Sequence, residues 1–184
     1  MIDKYLRYVD CCLDEIPTSF GIGLILVFFF GVALFRARLG WKKGMTWSAG
    51  LLLLEYLVLL LFLAVLVRNE QAERTYMLTP FWSYPAIQER QPGILTQVIM
   101  NVVAFIPVGF LFGCLCGRGK WWKALLLGSV ISILIEILQF AFKRGMSEFD
   151  DLFHNVLGCL IGYGLYVGAS WLISNLSRRM ARHE

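Results

Sequence analysis

Residues 136–155, EILQFAFKRGMSEFDDLFHN, begin inside an apolar run and leave it through Lys143, Arg144 and Gly145. They collect Glu148, Asp150 and Asp151, then enter a second apolar run through His154 and Asn155. In a soluble chain this would be an ordinary polar loop. Here it joins apolar runs at 122–142 and 153–175, and Glu136 with Gln139 three residues on lies inside the first. Ionisable groups at membrane depth are costly and mark function. The stretch therefore reads as the functional face of an all-α, polytopic transmembrane helical bundle.

Outward from it, the same apolar character continues. Residues 46–67, TWSAGLLLLEYLVLLLFLAVLV, form a crossing broken only by Glu55, and 95–116 form another. Residues 19–35, SFGIGLILVFFFGVALF, are charge-free but short against the roughly 20 residues that span a bilayer core. The count is about five spans. An apolar fraction of 58% and a mean hydropathy of +0.66 exclude a soluble globular domain.

The 184 residues read as a single membrane domain: an interfacial helix over 1–17, two N-terminal spans within 18–67, and a three-helix core over 95–175. Ile2, Tyr5, Leu6, Val9, Cys12, Leu13 and Ile16 recur at helical steps between charges, which predicts an amphipathic helix on the membrane surface. Asp10, Asp14 and Glu15 precede the first apolar run, the reverse of a signal-peptide n-region, so that run is expected to be retained. Residues 68–94, with Pro80, Pro85, Pro92, Trp82 and Tyr84, read as a polar connection. The five cysteines form no C-x-x-C pair, so no disulfide framework is expected.

Lys and Arg set the expected orientation. Arg36, Arg38, Lys42, Lys43, Arg118, Lys120, Lys123, Arg178, Arg179 and Arg182 share one side, against seven opposite. The richer side is expected to be the cytoplasm, with the N-terminus outside and the C-terminus inside. Basic residues in small clusters suit topology control and anionic lipid, and no nucleic acid partner is expected.

That topology brings polar residues from three helices to one depth. Asn101 and Glu136 each lie about six residues from the outer end of their spans, roughly 9 Å deep. Gln139 stands one turn from Glu136, His154 and Asn155 enter the last span from the same side, and Arg144, Asp150 and Asp151 cap them. Asp150 with His154, and Asp151 with Asn155, are i, i+4 pairs, and acids in a first turn suit the helix dipole. Gly158 with Gly162, and Gly164 with Gly168, permit close helix contact, and Pro107 predicts a kink.

Plainer readings stand beside these. Asn101 and Gln139 serve equally well as interhelical hydrogen-bonding groups. Glu148 is better read as a solvated loop acid or helix cap. Glu55 suits an interhelical hydrogen bond more than transport. The donors around His154 have no diagnostic metal spacing, and neither a metal nor a cofactor is expected.

The motifs NVVAFIPVGFL at 101–111, ILIEILQ at 133–139, Arg144, Asp150–Asp151 and Asn155-x-x-Gly158 resemble, in order, the VanZ-like family of bacterial membrane proteins. The matched positions include Asn101, Phe105, Pro107, Gly109, Glu136, Gln139, Arg144, Asp150, Asp151, Asn155 and Gly158. The loop GMSEFD departs from the pattern, which has a β-branched or apolar residue nearer the acids. The resemblance implies a bacterial cell-membrane protein linked to resistance against teicoplanin-type lipoglycopeptides, and it carries over no catalytic residue.

The expected function is an outer-leaflet polar pocket lined by Asn101, Glu136, Gln139, Arg144, Asp150, Asp151, His154 and Asn155. It would recognise a membrane lipid, a lipid-linked cell-wall precursor or a lipoglycopeptide, with Arg144 as the anion contact. The alternative is an enzyme acting on a lipid-linked phosphate head group. In it Glu136 is the general acid or base, and Asp150, Asp151 and His154 hold a divalent metal. A transporter is disfavoured by five spans without an internal repeat.

Overall fold

The computed structural model describes residues 18–180. The expected interfacial helix at 1–17, Cys11 and Cys12 lie outside the described residues. Five described helices are long and apolar enough to cross a membrane: Gly21–Gly40, Lys43–Leu66, Ile94–Cys116, Trp121–Phe142 and Phe149–Met180. The chain is therefore an all-α membrane bundle.

The helical run Thr18–Leu61 is two helices, α1 (18–39) and α2 (41–61), meeting at Gly40, whose φ of 72° a side chain rarely tolerates. The chain turns back there. A Cβ on Gly44 would sit 3.1 Å from the Phe35 carbonyl, and Phe35 and Trp47 face each other with ring centroids 6.2 Å apart. α2 ends in a π-helical turn, Phe62–Leu66. There follow β1 (Thr75–Met77), α3 (Ser83–Gln88), α4 (Ile94–Cys116), α5 (Trp121–Phe142), β2 (Met146–Glu148) and α6 (Phe149–Met180). α6 begins four residues ahead of the apolar run expected at 153, because Asp150 and Asp151 occupy its first turn, where acids suit the helix dipole.

The core lies where α2, α4, α5 and α6 meet: Leu53 and Leu60, Phe105 and Val108, Ala124, Ile131 and Ile135, Cys159 and Tyr163. The closest approach is between α4 and α6, where glycines on both helices admit the partner's backbone. A Cβ on Gly109 would meet the Cys159 carbonyl at 1.8 Å, and one on Gly162 would meet the Ile106 carbonyl at 1.9 Å. Gly158 faces the Val102 carbonyl in the same way. Gly164 and Gly168 meet nothing within 4 Å. They stand about half a turn around the helix from Gly162, so only the first of the two expected glycine pairs is used. α4 continues through Pro107, and Tyr56 on α2 donates to the Ala104 carbonyl one turn earlier at 2.8 Å.

The end of α2, the start of α4, the end of α5 and the start of α6 share one end of the bundle. The segment read as a plain polar connection is built structure there. β1 pairs in parallel with β2 in the register Thr75 with Met146, Tyr76 with Ser147 and Met77 with Glu148. Glu70 forms a further bridge with Arg144. The loop after α2 is thereby stapled over the loop between α5 and α6.

Candidate functional site

Below that staple the acids divide into two groups with different partners. Asp150, 1% exposed, accepts from the Phe81 N–H and from both the N–H and hydroxyl of Ser83, at 2.5, 2.9 and 2.6 Å. Its carboxylate pins the turn that opens α3. Asp150 is thus an anchor for the covering loop.

Glu136, Glu148 and Asp151 form the other group. The Glu148 N–H donates to Glu136 Oε2 at 2.8 Å. The Glu148 carboxylate accepts from Gln97 Nε2 at 2.7 Å and from Trp82 Nε1 at 3.1 Å. Gln97 also reaches Asp151 at 3.4 Å. The cation acting on all three carboxyls is Arg68. Gly145 makes room for it: at φ 83° it carries no Cβ, and one placed there would lie 2.7 Å from Arg68 Nη1.

Glu148 corrects the sequence expectation of a solvated acid, since it is only 4% exposed. Burial pushes its carboxyl above the ordinary carboxylate range, opposed by the Gln97 and Trp82 hydrogen bonds and the Arg68 charge and reinforced by Asp150. The acid therefore retains its proton to higher pH than a solvated one.

Arg144, expected as the anion contact, turns the other way. Its guanidinium donates to the Leu66 carbonyl and, at 3.0 Å, to that of Arg68. Gln139, 1% exposed, donates to the Ala64 carbonyl at 2.9 Å. Both side chains take up carbonyls that the π-helical turn and the end of α2 leave open. Gln139 is thus interhelical, as its plainer reading had it.

Deeper in the bundle, Asn155 donates to Ser132 at 2.9 Å, joining α6 to α5 one turn below Glu136. Asn101 lies one turn below Gln97 on α4, with its Nδ2 buried and unpartnered among the described residues. His154 is buried, its Nε2 3.5 Å from the Tyr84 hydroxyl and its ring against Tyr84 and Phe153. No group of three or more His, Cys, Asp or Glu side chains among the described residues is arranged to hold a metal.

All eight candidate residues therefore lie at one end of the bundle, but they divide. Glu136 and Asp151 belong to a carboxyl cluster, Gln139 and Arg144 to a clasp on α2, and Asp150 is a loop anchor. Asn155 bonds to α5, His154 lies against Tyr84, and Asn101 has its amide nitrogen unpartnered among the described residues. Sequence reading missed Arg68, Gln97, Trp82 and Ser83. Gln97 had a signal, standing one turn from Asn101 on the same helix face, and Arg68 is the first charge after the second span. Trp82 and Ser83 had none.

The cluster is open on one side. A groove of about 280 Å³ runs past Glu136, Ser147 and Glu148, walled by Leu78, Ile133, Ile137, Phe140, Phe149 and Leu152. Ile133, Ile137 and Phe140 are exposed on α5, so this mouth faces the apolar surface of the bundle. Carboxyl groups meet an apolar channel there.

The family model described as VanZ/LLP1 matches residues 49–173, which hold the carboxyl cluster and all eight candidates. The chain is 31% identical over 130 residues to Protein VanZ of Enterococcus faecium, covering 67% of this chain and 75% of that protein. No solved structure matches the chain. On the breadth of these two matches, this chain belongs to the VanZ/LLP1 family.

Proposed function

We propose that the protein is a bacterial cell-membrane protein, N-terminus outside and C-terminus cytoplasmic, that binds an amphiphile at the outer leaflet and so contributes to teicoplanin-type lipoglycopeptide resistance. The observation that carries the reading is the Glu136, Glu148 and Asp151 cluster opening on a groove with apolar walls. A lipid-linked cell-wall precursor or the acylated antibiotic offers both halves of the fit: a chain for the groove, and hydroxyl, amide or ammonium donors for the carboxyls. Arg68, in the role first expected of Arg144, is the cation available to a phosphate or carboxylate on the same ligand. Asn101, Asn155 and His154 lie beneath this region, and Gln139 ties the end of α5 to α2 beside it.

The test is protection of a susceptible host. Glu136→Gln and Glu148→Gln are expected to lower the teicoplanin inhibitory concentration to that of cells lacking the protein, at equal membrane abundance, while the purified protein releases no phosphate from lipid-linked precursors. Full protection by both variants defeats the reading. A second reading, head-group enzymology, is favoured by one specific feature: three carboxyls held together around a single cation. In it Glu136 or Asp151 moves a proton to or from the head group. Turnover of a lipid-linked phosphate, abolished by Asp151→Asn, is the outcome that selects it.

A further inference from the structure

The described residues at the end of the bundle away from the carboxyl cluster include nine Lys and Arg, within 36–43, 118–123 and 178–179, and no Asp or Glu. The α1–α2 turn belongs to that end, since a Cβ on Gly50 of α2 would meet Leu115, near the end of α4, at 3.1 Å. A surface of one sign attracts the opposite one. Diffuse charge by itself names no site.

Arg118 is fixed in place. It stands in the α4–α5 turn between Gly117 and Gly119, at φ 78° and 77°. The hydroxyl of Tyr163, a residue only 4% exposed, braces that turn by accepting from the Lys120 N–H at 2.7 Å and donating to the Gly117 carbonyl at 2.9 Å. The guanidinium is then laid along α6. Ser170 accepts from its Nε at 3.1 Å and its Nη2 at 3.0 Å, and Ser174 accepts from Nη2 at 3.2 Å. Two hydroxyls hold the group without neutralising it, and its Nη1 has no acceptor among the described residues.

Depth says which anion meets it. The spans Ile94–Cys116 and Trp121–Phe142 end on either side of this turn, and Trp121, Trp122 and Trp171 are exposed there. Tryptophan of this kind sits at head-group level, where the abundant anion is the phosphodiester of a phospholipid. We propose that Arg118, clamped by Ser170 and Ser174, binds the phosphate of an anionic phospholipid in the leaflet opposite the carboxyl cluster. A guanidinium pairs with phosphate through N–H groups in a planar fork, and one already held in position loses less freedom on binding. The surrounding cations favour a head group of net negative charge over a zwitterionic one. The site is at the other end of the bundle from the carboxyl cluster, so it stands without the function proposed above.

The experiment is tryptophan quenching of the full chain in phosphatidylcholine vesicles that contain dibrominated phosphatidylglycerol. Five of the six tryptophans, all but Trp82, belong to this end, so bromine reports the lipid bound there. Against dibrominated phosphatidylcholine, phosphatidylglycerol is expected to bind at least threefold more tightly, and Arg118→Gln to bring the ratio close to one. Ser170→Ala with Ser174→Ala keeps every charge but releases the guanidinium, and is expected to lower the ratio at least twofold. Arg178→Gln with Arg179→Gln removes two charges of the same end, and is expected to lower it less than Arg118→Gln does. Excess inorganic phosphate at constant ionic strength is expected to leave the ratio unchanged. No preference in the parent, a preference that survives Arg118→Gln, or a larger loss from the 178 and 179 pair each overturns the proposal. So does competition by inorganic phosphate, which assigns a soluble anion instead. If Arg118→Gln fails to insert, an unchanged ratio in the serine pair overturns it as well.

Discussion

Glu148 and Asp150 are two residues apart and do different work, because one faces the carboxyl cluster and the other the covering loop. For Glu148 the native proton affinity is raised. The stability linked to its proton is therefore complete below the ordinary carboxylate range and is lost as pH rises through the raised native value. The melting temperature of the detergent-solubilised protein should fall across that window. Glu148→Gln keeps one of the two acceptor oxygens used by Gln97 and Trp82 but cannot titrate, and should flatten the fall; an unchanged slope would assign the titration to another group. Asp150→Asn leaves one of the three donors from Phe81 and Ser83 with a poorer acceptor, at a cost of about 1–3 kcal/mol. Limited proteolysis should then cut the 78–93 loop faster than in the parent, with the helices still protected. Equal cutting rates would show that the loop is held elsewhere.

Among the elements, the α4–α6 contact is the one that a single methyl group can open. Gly162→Ala drives a Cβ into the Ile106 carbonyl, and overpacking of this kind costs about 1–3 kcal/mol or more. Gly164→Ala and Gly168→Ala meet open space, and alanine is the better helix former by about 0.5–1 kcal/mol. A thermal scan in detergent should thus separate the variants by sign: a lower melting temperature for Gly162→Ala, an equal or higher one for the other two. The glycine motif was plain in the sequence, and which of its two copies makes the contact was not. Spacing identifies a face of α6, and only the packed neighbour shows which face is occupied.

For the whole molecule, orientation is the property that everything said of the outer leaflet depends on. Cysteines introduced at Glu73 and Arg90, both exposed at the site end, should react in intact cells with a membrane-impermeant maleimide. One at Lys120, at the opposite end, should react only after permeabilisation. The reverse pattern would put the carboxyl cluster at the cytoplasmic leaflet and remove the antibiotic from its reach.

The spans, their number and the gathering of polar residues at one end could all be read from the chain, because the length of an apolar run against the thickness of a bilayer is a local property. For Gln139 the chain left an interhelical role and a ligand role equally open, and the bond to the Ala64 carbonyl decides for the first. The partners were not legible. Arg144 clasps carbonyls 76 and 78 residues away while Arg68 serves the acids, and Glu148 is buried beneath a strand pairing between two separate loops. A side chain's charge is written in the sequence, but its partner is chosen by the register in which distant segments meet, and that register exists only once the helices have packed.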